Sequence, residues 1–447
     1  MKMKVQFAGA TLVAQTLLVL LAAAPASPSA RAQALPAADA APASTGFALP
    51  TTLGTLQYAV SASQSYDWGY YTNSGVTGSA NISGDLAYLS SSKQHPFSMV
   101  LNGGHAFGEF KQPAYSYAGL SASQVANIGR WNFVLSDSVN YLPGTAAAGL
   151  SGVPGVGDLN INPVQVSGDT SQGTLTNFSN RISNNAAASL SRQLTGRTAL
   201  TASGSYSILH FLDSGTGSTT QSGAGLDSHG ATGQGAITHT ISPRSSFGAS
   251  YSYSRYTYPN DHFGLPASGF VSQTVGAQYS YRVTRKLGIS MSAGPEWSTI
   301  TNVPNSNATS VFVDASATYT GKTTTTALSF VRGTNNGYGV TAGSFSNSLV
   351  FTVSRTFAEA WGVSASSAYT QSSSLTAPTL PSFSSKTYVE SAQVSRAILR
   401  NLSAFASYAF ENQSSSGASA IDVFNGRSQI LGFGITYSPA AKHLGHP

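Results

Sequence analysis

Five charged residues, Asp85, Arg130, Arg282, Glu296 and Asp314, fall in one phase of alternating segments whose same-phase neighbours are mostly Ser, Thr, Gly, Asn and Gln. If that phase borders enclosed water, these charges can bias the passage of an ion or a polar solute. They can equally pair across a wall and brace it, and the spacing leaves both roles open. Metal and catalytic chemistry have less support. The eight histidines (His95, His105, His210, His229, His239, His262, His443 and His446) show no His-x₃-His helix and no mixed His/carboxylate spacing, so no metal site is expected. The absence of cysteine excludes a thiol nucleophile, a Cys-ligated metal and a disulfide framework. The run Gly152-Val153-Pro154-Gly155-Val156-Gly157-Asp158 has the glycines of a phosphate loop, but no helical period follows to present its N-terminal amides to an anion. It reads either as a constriction loop or as a plain turn-forming loop. No cofactor and no enzymatic activity are expected.

The elements that carry these residues follow from composition. The chain has 447 residues, of which 41% are hydrophobic and 9% charged. A soluble domain spends about a quarter of its residues on charge. Disordered chains are charge-rich and aromatic-poor, whereas this one carries 21 Tyr and 21 Phe. A surface that is neither charged nor continuously apolar fits a transmembrane β-barrel, whose residues alternate between lipid and a polar lumen.

Residues 1–34 read as a secretory signal peptide. Lys2 and Lys4 precede an apolar core from Leu12 to Ala24, and Ala30-Arg31-Ala32 or Ala32-Gln33-Ala34 offers a cleavage site. The apolar core is short of the about 20 residues a spanning helix needs. With Lys2, Lys4 and Arg31 removed, the net charge falls from +6 to about +3, too mild to suggest a nucleic-acid partner. Residues 35–53, rich in Ala and Pro, read as a flexible periplasmic lead-in.

From Gly54 to Ser438 period-two alternation recurs, as a strand with two different faces requires. Leu431, Phe433, Ile435 and Tyr437 alternate with Gly432, Gly434, Thr436 and Ser438; Leu287, Ile289, Met291 and Ala293 alternate with Gly288, Ser290, Ser292 and Gly294. A sandwich would carry Lys and Glu on its water face, and these strands carry small neutral residues instead. Aromatic residues gather at strand ends (Trp131, Tyr141, Tyr256, Tyr258, Trp297, Trp361 and Tyr437), where rings favour a membrane–water interface. Short basic links such as Arg192–Arg197 and Arg396–Asn401 alternate with longer Gly/Ser/Pro-rich links, the pattern of short periplasmic turns and long external loops. The expected fold is all-β, a transmembrane antiparallel barrel of about 18 strands, with 16 the alternative even count. The count of 18 assumes one further crossing within residues 142–176. Three charges, Asp137, Arg255 and Glu390, fall on the lipid side. Arg255 and Glu390 fit an outer rim, and Asp137 suggests a bulge or a shifted register. Residues 439–447 form a tail.

The signal peptide, the serial alternating strands and the closing L-x-F-x-I-x-Y strand resemble the porin-like outer-membrane β-barrel proteins of Gram-negative bacteria. In that group the last strand closes with an aromatic residue read by the barrel-assembly machinery; here Ser438 to Pro447 follow Tyr437. The resemblance implies residence in the cell outer membrane, contact with its lipids and lipopolysaccharide, assembly through that machinery, and possible oligomerisation. It further implies a passive channel for small polar solutes. A closed-lumen structural or adhesive barrel and an exit pore for an exported polysaccharide are the alternatives. Outer-membrane phospholipases set a Ser/His pair on the lipid face; His105 falls in that phase here, without a companion His-x-Ser-Asn-Gly pattern.

Overall fold

A computed structural model describes residues 54–444, apart from the segments 70–75, 93–94, 110–113, 143–179, 213–225, 260–268, 302, 304–305, 358–359, 376–381, 418–424 and 441. The expected signal peptide, the lead-in and the Gly152–Asp158 run lie outside the described residues. Eighteen long strands form one antiparallel sheet closed on itself. They are β1 (Gly54–Trp68), β2 (Val76–Ser90), β3 (Phe97–Glu109), β4 (Tyr115–Ile128), β5 (Trp131–Leu142), β6 (Arg181–Gln193), β7 (Thr198–Phe211), β8 (Ser228–Ser242) and β9 (Ser245–Thr257), followed by β10 (Gly269–Arg282), β11 (Leu287–Ile300), β12 (Asn307–Thr320), β13 (Thr324–Asn335), β14 (Ser344–Phe357), β15 (Trp361–Ser374), β16 (Phe383–Leu399), β17 (Leu402–Gly417) and β18 (Gly426–Tyr437). Each pairs with its sequence neighbours, and β1 closes the ring on β18 from Val60↔Tyr437 to Trp68↔Gln429. A three-residue β19 (Lys442–Leu444) in the tail pairs with Gly54–Leu56 and extends the seam past Tyr437.

Closure follows from the sequence because every backbone donor must find a partner where no water is available, and only a ring of strands leaves no edge. The strands run 12 to 17 residues, against roughly 10 needed to cross a bilayer, so they project beyond it. At the short-turn end a hydroxyl residue repeatedly precedes the basic turn and accepts from its backbone. Thr195 Oγ1 accepts from the Arg197 and Thr198 amides, Ser242 Oγ from those of Arg244 and Ser245, and Thr284 Oγ1 from those of Lys286 and Leu287. Such side-chain turns pre-form the hairpins, which is why Ser or Thr recurs two residues before Arg or Lys.

The expected crossing within 142–176 is not what completes the ring. β5 and β6 are direct antiparallel neighbours, Leu142 opposite Arg181, so the chain leaves and re-enters at the long-loop end. The missing hairpin is β4–β5, whose two-residue turn uses Gly129 at φ +62°. Arg130 is the second residue of that turn and not a strand residue in the inward phase. A hairpin this tight was concealed by polar Asn127 and Asn132, which hydrogen-bond to one another at 2.6 Å beside the turn.

Asp137 is likewise no bulge. Its pairing with β4 and β6 is unbroken, and its side chain points outward, opposite Ala122 and Ala186. Asn184 Nδ2 donates to its carboxylate at 2.8 Å, which lowers the cost of an acid on that face. Arg255 lies outward near the end of β9, and Glu390 is outward with the Tyr388 hydroxyl donating to it.

Candidate functional site

Outward positions carry the large apolar side chains and inward ones the small polar ones. Trp131 and Trp361 mark the outward short-turn rim, each with an arginine over its ring: Arg192 at 4.8 Å and Arg396 at 5.0 Å. Tyr437 is outward at the same rim, and Trp297 and Tyr141 are outward toward the other. Tyr256 and Tyr258 do not belong to this girdle. Tyr256 is inward and stacks on Phe270 at 4.8 Å, and Tyr258 is buried past the end of β9. Their spacing at a strand end looked interfacial, but strand parity places Tyr256 in the lumen.

The few bulky inward residues lie flat along the wall, over glycines of neighbouring strands. A Cβ at Gly276 would fall 2.5 Å from the Phe312 ring, and one at Gly434 2.8 Å from Phe405. Tyr117 covers Gly104 in the same way. Glycine here makes room for a ring that would otherwise project into the bore.

The inward wall is uneven. Ser61, Ser83, Asp85, Thr436, Ser428 and Glu411, on β1, β2, β17 and β18, are all buried. On the lower halves of β8, β10, β11 and β12, Thr240, Ser280, Arg282, Ser290, Asp314 and Thr318 are exposed. The inward charges therefore divide. Arg282 and Asp314 face open space, and Asp85 and Glu296 are 6% and 2% exposed.

Glu296 is held by four donors from three strands. Its Oε1 accepts from Ser272 Oγ (2.8 Å), Thr334 Oγ1 (2.5 Å) and Thr334 N (3.2 Å), and Oε2 accepts from Ser310 Oγ (3.1 Å). This is a wall brace linking β10, β12 and β13 to β11.

At the long-loop end, the connection between β13 and β14 (residues 336–343) extends across the mouth. It contains the single helical turn among the described residues, Gly337–Gly339. Gly339 O accepts from Leu226 N at 2.8 Å, just before β8. The Tyr258 hydroxyl donates to Asn336 O at 2.9 Å; burial, with Tyr256 beside it, holds that phenol well above its usual range, so it remains a neutral donor. Val340 joins Phe211 of β7 and Phe383 of β16 in one buried cluster. Those strands are nine places apart in an eighteen-strand ring, so side chains from opposite walls meet over the bore. Ala342 and Leu375 pack on a second cluster of Leu226, Tyr258, Phe270, Ile300 and Val303. Gly339 and Gly343 have φ of +79° and +90°, and a Cβ on either would fall within 2.8 Å of the Phe211 or Phe270 ring. The strap needs glycine for both conformation and space.

His105 Nδ1 lies 2.8 Å from Ser116 Oγ on the outward face, edge-on to Phe107. Among the described residues, its other ring nitrogen has no orienting partner. Nor do three or more His, Asp or Glu side chains converge among them. The strap was not legible as such, because its residues carry neither charge nor alternation.

By strand number, closure and two-faced alternation the chain is a porin-like β-barrel. No protein-family model and no curated protein matches it. Among solved structures, it is similar to OpdQ of Pseudomonas aeruginosa (TM-score 0.42, 11% identity, covering 86% of this chain and 98% of that one) and to OccK5 (OpdH) of the same organism (0.41, 12%, 87% and 98%). It is also similar to the siderophore receptor PiuA of Acinetobacter baumannii (0.38, 11%, 86% and 82%).

Proposed function

We propose that the chain resides in the outer membrane as a passive channel for small polar solutes, with the 336–343 strap narrowing its outer mouth. The supporting observation is the exposed polar wall of β8 to β12, where hydroxyls surround Arg282 and Asp314. A barrel of 16–18 strands leaves an aqueous bore, and small neutral residues do not fill it. Lipids and lipopolysaccharide would contact the outward band, and the assembly machinery would read the β18 strand.

Planar-bilayer recording of the purified, folded protein tests this reading. Discrete conductance steps are expected. In Arg282→Glu the reversal potential should move toward cation preference, and in Asp314→Asn toward anion preference. Asp85→Asn should leave it unchanged, because that carboxylate is buried. Unchanged selectivity in both exposed-site variants removes them from the conduction path.

One observation favours a second reading, a closed barrel that serves interaction. The Phe211–Val340–Phe383 bridge crosses the bore with apolar side chains, and such a constriction can dewet. A correctly folded wild type that stays silent in the bilayer would support that reading over the channel.

A further inference from the structure

At the long-loop end of the closure seam, one carboxylate lacks the partners that its burial demands. Glu411 of β17 is 0% exposed, and among the described residues neither of its oxygens has a hydrogen-bond partner. Its cross-strand neighbour on β18 is Ser428, also 0% exposed. The Ser428 hydroxyl donates not to Glu411 but to Asp67 Oδ1 on β1, at 2.7 Å. Two carboxylates thus flank one hydroxyl on the inward face of β17, β18 and β1: Glu411 is directly opposite Ser428, and Asp67, opposite Ile430, reaches Ser428 diagonally along the seam. The contrast with Glu296, the other buried glutamate among the described residues, is direct: four donors satisfy that one.

Glu411 is buried without a donor, beside a half-buried Asp67 that has one, and cannot remain an uncompensated charge: it holds either a proton or a cation. A divalent cation shared with Asp67 would neutralise Glu411 as a charged ligand, and oxygen-only ligands select a hard ion. Full burial favours calcium over magnesium, which dehydrates reluctantly and keeps several waters. We propose that Glu411, Asp67 and Ser428 form a calcium site that clasps β17, β18 and β1 where the first and last long strands meet. Glu411 offers both oxygens, Asp67 the one not engaged by Ser428, and backbone carbonyls with a water or two complete the shell. The site lies on the wall away from Arg282 and Asp314 and does not depend on conduction.

The test uses full-length barrel refolded in detergent without lipopolysaccharide, stripped with a chelator and titrated calorimetrically with calcium or magnesium. The wild type is expected to bind one calcium saturably, with magnesium at least roughly tenfold weaker. At a hundredfold excess over Kd, calcium should raise its melting temperature by roughly 5 °C. Glu411→Gln should abolish both effects while melting in chelator no lower than the wild type, since it removes an unneutralised buried charge. Asp67→Asn should weaken binding, and Glu296→Gln should leave it intact. Folded wild type that takes up no calcium overturns the assignment. So does Glu411→Gln that binds as the wild type does, or Glu296→Gln that loses binding equally.

Discussion

Val340→Asp is expected to raise single-channel conductance roughly threefold, because it replaces the apolar keystone of the mouth with a hydrated charge. Val340 is the residue through which Phe211 and Phe383 meet from opposite walls, and its own backbone amide is tied only locally, to Gly337 O at 2.9 Å. A carboxylate placed between two phenyl rings must recover its hydration, which separates the strap from both walls. The barrel itself should survive, since no strand pairing passes through residue 340. Phe383→Ser should act in the same direction and more weakly, because the strap keeps its contact with Phe211. Equal conductance in wild type and Val340→Asp, with both proteins folded, would mean that the strap does not limit flow.

Glu296→Ala is expected to destabilise the barrel by about 3 kcal/mol, since it strands three hydroxyls and a backbone amide in a buried setting. Loss of one charged acceptor with several donors falls at the upper end of single-substitution effects. The denaturant midpoint of the refolded protein should fall accordingly, and the effect should be smaller in Glu296→Gln, which retains one acceptor oxygen and most of the volume. Ion selectivity should be untouched in both, because Glu296 is 2% exposed. A selectivity change without loss of stability would return this residue to the conduction path.

The barrel was legible because its physics repeats along the chain. Each strand must present lipid-compatible residues at every second position, and eighteen repetitions of that demand survive individual exceptions such as Asp137. The short turns were legible from their length and their Arg and Lys residues, whereas the Ser or Thr two residues ahead, which accepts from the turn amides, is a local signal the structure revealed. What alternation does not encode is which parts of the inward face remain open. Glu296 and Arg282 occupy the same phase, yet one is enclosed by Ser272, Ser310 and Thr334 while the other faces open space. Those donors come from β10, β12 and β13, and only the registers bring them together. Tyr256 shows the converse, since proximity to a strand end suggested an interface while parity placed the ring inside. The strap needed two clusters, drawn from strands up to nine places apart, to become visible.

In the proposed membrane placement, successive residues of one strand meet lipid and enclosed water in turn. The chain contains no cysteine, so single cysteines from Ile289 to Ser292 of β11 report one position each. In proteoliposomes, cysteines at Ser290 and Ser292 should react with a small water-soluble thiol reagent. Those at Ile289 and Met291 should resist it, and spin labels there should sense lipid-soluble oxygen over a water-soluble nickel chelate. Uniform reactivity along the four positions, or protection of the serine positions with exposure of Ile289 and Met291, would contradict the account.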